Sequence, residues 1–220
     1  MTTAEIVSIS IAFVSLLVSV LTVYFTYLKP TRLRMLTGRI LIIANTYLET
    51  ETGKQWGGLS FILPFTFSNW SPKGGSIYQT RVAIGRESNR SKYFDLTWSS
   101  FITFVDGTSS WESDAIAHPL AIQAQSSLTK FIRFDWSPLR GEKISIQEGQ
   151  YNLKFYAWTN DQTKPQIKQT ITFHLTQKQV DKYNDSVNNN LVIPIIVNLG
   201  QSSLPNRIST LSEISSMYEN

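Results

Sequence analysis

A run of about 23 residues, Ile6 to Leu28, contains no charged side chain, and such a run reads as a membrane-spanning helix. Glu5 precedes it and Lys29-Pro30 follows it. At about 1.5 Å rise per residue it reaches about 34 Å, enough to cross a hydrocarbon core of about 30 Å with modest tilt. A single segment in lipid must satisfy its own backbone hydrogen bonds, so it has to be helical. A cleaved signal peptide fits poorly. The flank before the run holds Glu5 and no Lys or Arg, the apolar stretch is too long, and no small-residue cleavage site follows it. A buried core helix would keep a polar stripe. A lipidated anchor would need a Cys, and the chain has none.

Lys29, Arg32, Arg34 and Arg39 follow the span closely. The positive-inside bias then places the C-terminal domain in the cytoplasm, with these four cations against anionic headgroups. Within the span, Ser8, Ala12, Ser15, Ser19, Thr22 and Thr26 recur at intervals of three and four, which lays them on one face. Helices in lipid associate through small and hydroxylated residues, so this stripe is a candidate face for a homo- or hetero-oligomer. The competing use of the same hydroxyls is bonding to carbonyls of their own helix.

The domain organisation expected is a transmembrane anchor at 1–28, a basic juxtamembrane connector at 29–37, a β domain at 38–199 and a flexible Ser- and Asn-rich tail at 200–220. Six Trp, nine Tyr and twelve Phe supply ample material for one core. The net charge of +4 is nearly accounted for by the juxtamembrane cluster, so no dense basic patch is left for nucleic acid. Period-two alternation marks strands. Examples are Phe61, Leu63, Phe65, Phe67 and, later, Tyr151, Leu153, Phe155, Ala157. Further strand-like segments lie at 38–46, 77–86, 92–99, 101–105, 116–123, 127–135, 143–147, 167–176 and 191–199. Residues 48–58 and 107–115 read as loops. One soluble helix is expected at 176–187, capped by Thr176. Many short strands with turn signals between them indicate an all-β sandwich or barrel.

One local feature favours the immunoglobulin-like sandwich. Gly149 stands two residues before Tyr151, at the start of an alternating strand. This resembles a tyrosine corner, in which the hydroxyl bonds back to the backbone upstream. The resemblance spans about ten residues, lacks the cystine and its Trp, and carries no function.

The chemistry-bearing residues are sparse. There are two His, His118 and His174, far apart in sequence, against the three or four ligands a zinc site uses. The phosphate-loop, dinucleotide and nucleophile-elbow patterns are absent. Lys73-Gly74-Gly75 leads into a strand, not into the helix N-terminus a phosphate loop needs. No catalytic set, cofactor or metal is expected. An internal echo remains. Asn69-Trp70-Ser71-Pro72-Lys73-Gly74 and Asp135-Trp136-Ser137-Pro138-Leu139-Arg140-Gly141 share a strand exit, then Asx-Trp-Ser-Pro, a cation and Gly. Turn chemistry explains the Asx, Ser, Pro and Gly. The Trp and cations Trp70, Lys73, Trp136 and Arg140 are candidate partner-binding loops, expected side by side at one end of the domain. The alternative is that a Trp caps the core.

The functional expectation is a membrane-anchored, non-catalytic interaction, scaffolding or accessory subunit, with the lipid bilayer and a protein of unknown identity as partners. The competing expectation is an exported, membrane-tethered domain recognising an envelope protein or carbohydrate.

Overall fold

The computed structural model describes residues 2–28, 31–51, 53–89, 91–104, 111–137, 144–160 and 163–199. It opens with helix α1, Thr3–Val23, continued by a π-helical turn at Tyr24–Leu28. Thr2 caps α1. Its Oγ1 accepts from the Glu5 N–H, and the Glu5 carboxylate accepts from the Thr2 N–H at 2.8 Å. This capping box starts the helix before the first apolar residue. No residue of α1 is buried against the domain.

The described residues form twelve strands. These are β1 (Leu33–Thr37), β2 (Ile40–Thr50), β3 (Gly53–Asn69), β4 (Gly75–Ile77), β5 (Gln79–Arg86) and β6 (Phe94–Phe104). Then come β7 (Trp111–Ile116), β8 (Leu120–Ile122), β9 (Ser126–Trp136), β10 (Gly149–Trp158), β11 (Ile167–Leu175) and β12 (Ile195–Asn198). Helix α2, Gln177–Asn188, lies between β11 and β12. The chain is thus mostly β. The main sheet runs β11-β10-β5-β6-β9-β3-β2-β12, with β1 added to β3 and β7 to β6; β4 and β8 form a separate pair. Every pairing is antiparallel. β6 joins the two halves: Phe94–Thr97 pair with β5, and beyond an irregularity at Trp98–Ser100 the strand runs beside β9 and β7. The sheet curls until β11 meets β12 and β1, where Thr37 Oγ1 donates to Gln169 Oε1 at 2.9 Å. The result is a near-barrel.

Alternation decides what lies inside. On β3, Leu59, Phe61, Leu63, Phe65 and Phe67 all point into one core with Leu41, Ile43, Phe134, Leu153 and Phe155. Phe65 is its centre, with Phe155 edge-on at 5.3 Å and Phe134 at 6.1 Å. Each such side chain contributes about 1.5–3 kcal/mol through burial. A smaller cluster, Ile42, Ile62 and Ile102, lies on the opposite face, packed by Trp111 and Phe131. Thr176 caps α2, and Val180, Tyr183 and Ser186 are its buried residues. Beneath it Asn45 Nδ2 donates to Ser186 Oγ at 2.6 Å, and the Tyr47 hydroxyl to the Ser186 carbonyl at 3.1 Å.

Several elements depart from the sequence-based expectation. The second half of the basic connector is not a linker: Leu33–Thr37 alternate in burial and pair with β3. Residues 48–50 and 53–58 are not loop but continue the β2–β3 hairpin, with Gly57-Gly58 opposite a register shift at Thr46–Tyr47. The glycines serve close approach there: a Cβ on Gly58 (φ +132°) would meet the Trp136 carbonyl oxygen at 2.1 Å. Segments 92–99 and 101–105 fuse into β6 where described. Residues 111–115, expected in a loop, belong with Ile116 to β7, because β6 offers them a free edge. Residues 144–147 are irregular. The tail at 200–220 lies outside the described residues.

Candidate functional site

The most elaborated polar site sits where the chain leaves helix α1. β3 ends at Asn69, which is 2% exposed. Its Nδ2 donates to the carbonyls of Lys73 and Gln123, each at 2.9 Å, and its Oδ1 accepts from the Ser71 N–H at 3.0 Å. An Asx turn of this kind folds the β3–β4 loop back on itself. The loop then grips the juxtamembrane residues. Ser71 Oγ accepts from the Arg32 N–H at 2.7 Å, Thr31 Oγ1 donates to the Gly74 carbonyl at 3.2 Å, and Lys73 Nζ donates to the Tyr27 carbonyl at 2.9 Å. Gly75 gives the connector room, since a Cβ there would lie 2.7 Å from Thr31 Cγ2. The β8–β9 turn joins through Gln125 N–H to the Ser71 carbonyl at 3.2 Å. Gln125 adopts φ +51° to do so. Trp70 is left 76% exposed. Beside it opens a groove of about 550 Å³ with neutral polar walls, Ser68, Ser126 and Ser127 among them.

The expected partnership of the two Trp-Ser-Pro loops does not form. In the β3–β9 ladder Asn69 pairs with Ser126 and Leu59 with Trp136. Trp70 and Trp136 therefore mark opposite ends of the ladder, roughly 34 Å apart at 3.4 Å per residue. Trp136 is half-buried, packs on the core and meets Phe94 edge-on at 5.2 Å. Its role is the core-capping alternative. Arg140 and Lys29 lie outside the described residues.

The juxtamembrane cations separate as well. Arg32 and Arg34 are exposed beside the helix end. Arg39 stands beyond the far end of β1, which carries the chain roughly 13 Å onward. In the helical stripe, Ser8, Ala12, Ser15, Ser19 and Thr22 are exposed and Thr26 is half-buried. Ser19 Oγ donates to the Ser15 carbonyl at 2.9 Å and Thr22 Oγ1 to the Val18 carbonyl at 2.8 Å, the back-bonding alternative.

A second concavity, about 200 Å³, lies at the tyrosine corner. The Tyr151 hydroxyl donates to the Gln147 carbonyl at 2.9 Å and accepts from the Gln147 N–H at 3.0 Å. Gly149, at φ +131°, makes the turn between them. Burial raises the Tyr151 pKa, outweighing the Gln147 hydrogen bond and the nearby Arg86, both of which lower it. Arg86 bonds the Gln147 side chain and, at 2.8 Å, the Glu148 carbonyl. The polar lining is thus an arginine committed to the corner, together with Asn89, Lys92 and Ser145. Among the described residues that line the concavity there are no paired carboxylates and no nucleophile–base pair. Among the described residues no three His, Asp or Glu side chains gather to hold a metal. His118 and His174 are both exposed, His118 against Phe101 and His174 on β11.

Asn69, the hub of the first site, has a sequence signal that is easily passed over: Asx at a strand exit with Ser two residues on. The Lys73–Tyr27 contact has none.

No protein-family model matches the chain. No curated protein matches it either. Two solved structures show a distant likeness. One is a family 123 glycoside hydrolase from Clostridium perfringens, with 10% identity and a TM-score of 0.33, covering 55% of this chain and 22% of that one. The other is Spo0M, a sporulation control protein from Bacillus subtilis, with 6% identity and a TM-score of 0.27, covering 74% of this chain and 56% of that one. The chain thus spans less than two thirds of either.

Proposed function

We propose that this is a single-pass membrane protein whose β domain works at the bilayer surface as a non-catalytic interaction, scaffolding or accessory subunit. One observation carries the reading. Thr3–Leu28 is a 26-residue apolar helical span, and none of its most apolar stretch is covered by the domain. An uncovered helix of that composition finds its solvent in lipid. Arg32 and Arg34, with Lys29 before them, favour a cytoplasmic domain by the positive-inside bias. The stripe from Ser8 to Thr26 supports assembly with a second helix, since back-bonded hydroxyls still leave a small-residue surface for packing. For the β domain we favour a modified immunoglobulin-like sandwich, a reading supported by the bond at Tyr151 and by the two half-sheets sharing β6.

A second reading places the same domain outside the cell as a tethered binder of an envelope protein or carbohydrate. The exposed Trp70 beside a polar groove favours it. Protease protection of intact cells or spheroplasts carrying a C-terminal tag separates the two. A tag protected until the membrane is opened supports the cytoplasmic subunit. Cleavage from outside refutes it and favours the exported binder.

A further inference from the structure

Trp70 is exposed in a loop that is otherwise tightly built, and the loop is tied to the helix end. We infer that the β3–β4 loop, with Trp70 at its tip, is a second membrane contact: it seats in the headgroup layer of the bilayer that α1 crosses and fixes the domain's tilt. This rests on the proposed span.

The depth follows from lengths. The 26 residues of Thr3–Leu28 reach about 39 Å, against about 30 Å of hydrocarbon, so a centred helix carries its last residues about 4–5 Å into the interface. Tyr27 is there. Lys73 Nζ lies 2.9 Å from the Tyr27 carbonyl, and the loop bonds Thr31 and Arg32 as well. Three tethers over six residues hold the loop at the level of the helix end. Trp70 is three residues from Lys73, so the chain allows at most about 11 Å between their Cα atoms. An exposed indole at that depth is where bilayers retain Trp, its ring in the acyl boundary and its N–H toward water. The charges agree. Lys73, Arg32 and Arg34 cluster at this end, and each cation near an anionic surface is attracted to it. Pro72 and Ala124, also exposed there, add no charge that would resist the interface.

The chain has no Cys, so one introduced thiol reports alone. The full chain is reconstituted in phosphatidylcholine–phosphatidylglycerol vesicles. An environment-sensitive fluorophore is placed at Pro72→Cys, with Leu17→Cys as the mid-span reference and Thr170→Cys on β11 as the solvent reference. Trp70→Cys gives a second probe in the loop, at an exposed position where substitution leaves the core intact. Lipids with a nitroxide near the headgroup are expected to quench the probes at 72 and 70 but not at 170. If the probe at 17 is quenched by deep nitroxides while those at 72 and 70 answer only to an aqueous quencher, the loop contact is refuted and the span stands. If the probe at 17 is not quenched by lipid, the span itself fails and the contact with it. Shielding of 72 and 70 from the aqueous quencher without lipid quenching means a protein covers the loop, and this also overturns the inference.

Discussion

Replacing Tyr151 by Phe isolates what the corner hydroxyl contributes. The side chain is 3% exposed, and its ring stacks on Phe173 at 5.5 Å, a contact Phe keeps. What disappears is one hydroxyl that both donates to and accepts from Gln147. Gln147 is itself exposed, so water reaches part of what is released. Two hydrogen bonds at about 1 kcal/mol each set the loss near 2 kcal/mol. For a protein of this size that lowers the Tm by about 4–8 °C. Thermal melts of the full chain in detergent or nanodiscs measure it, with Tyr156→Phe on the same strand as control. Alkali adds a second test. Burial raises the Tyr151 pKa in the folded state above the unfolded value of 10.0. The hydroxyl's contribution is therefore complete below about pH 10 and is lost as pH climbs through the folded pKa. The gap between the parent and Tyr151→Phe should narrow as pH rises past about 10. A Tm drop under about 1 °C, or a gap that widens in alkali, would refute the account.

Gly58→Ala should be far more damaging than Gly53→Ala. Both glycines have positive φ, but a Cβ at 58 strikes the Trp136 carbonyl, whereas at 53 it meets nothing within 4 Å. Backbone strain alone costs about 1–2 kcal/mol at 53, and the clash at 58 adds about as much again, which denaturant melts will resolve. Tyr183→Phe should stabilise the fold by about 1 kcal/mol, because it deletes a buried hydroxyl that has no hydrogen-bond partner among the described residues. Burial first, and Tyr47 second, push the Tyr183 pKa far above 10.0, so the parent's stability falls in alkali and the variant's should fall less; melts at neutral and alkaline pH test both. Trp136→Ala should destabilise by about 2 kcal/mol or more and Trp70→Ala by less than about 0.5 kcal/mol, since one Trp packs on the core and the other is exposed. Equal losses would undo the assignment of separate roles.

Local rules made part of this fold legible. Alternation on β3 and β10 identifies the inward faces, because a strand's side-chain period is two whatever it pairs with. Thr176 as a cap and Tyr151 as a corner depend only on neighbours within four residues. What escaped depends on distant chain. Leu33–Thr37 alternate in plain view, yet Arg32 and Arg34 make the segment look like a solvated linker; only its pairing with Phe65–Asn69 makes it a strand. Gly57-Gly58 look like a loop until Leu48 is seen lying against the first and the Trp136 carbonyl against the second. Registry between β3 and β9, which separates the two Trp, is a tertiary property that no local spacing encodes.

That registry also divides the labour within the domain. β3 is 17 residues long and spans up to roughly 54 Å. At its Asn69 end the chain is tied to Tyr27, Thr31 and Arg32, the residues nearest the proposed span. Its Gly53 end leads away, past Trp56, whose Nε1 donates to Asn45 Oδ1 at 3.3 Å beside Ser186 of α2. A loop committed to lipid cannot also present its Trp to a soluble partner. If Trp70 is held at the bilayer as proposed while Trp136 closes the core, the surface left for the proposed protein partner lies toward the β2–β3 hairpin and α2. There the exposed Leu48, Leu191 and Ile196 lie on β2, after α2 and on β12, on elements that adjoin one another. A partner found by cross-linking should therefore map to those elements, and one that maps to the Trp70 loop would show that lipid does not occupy it.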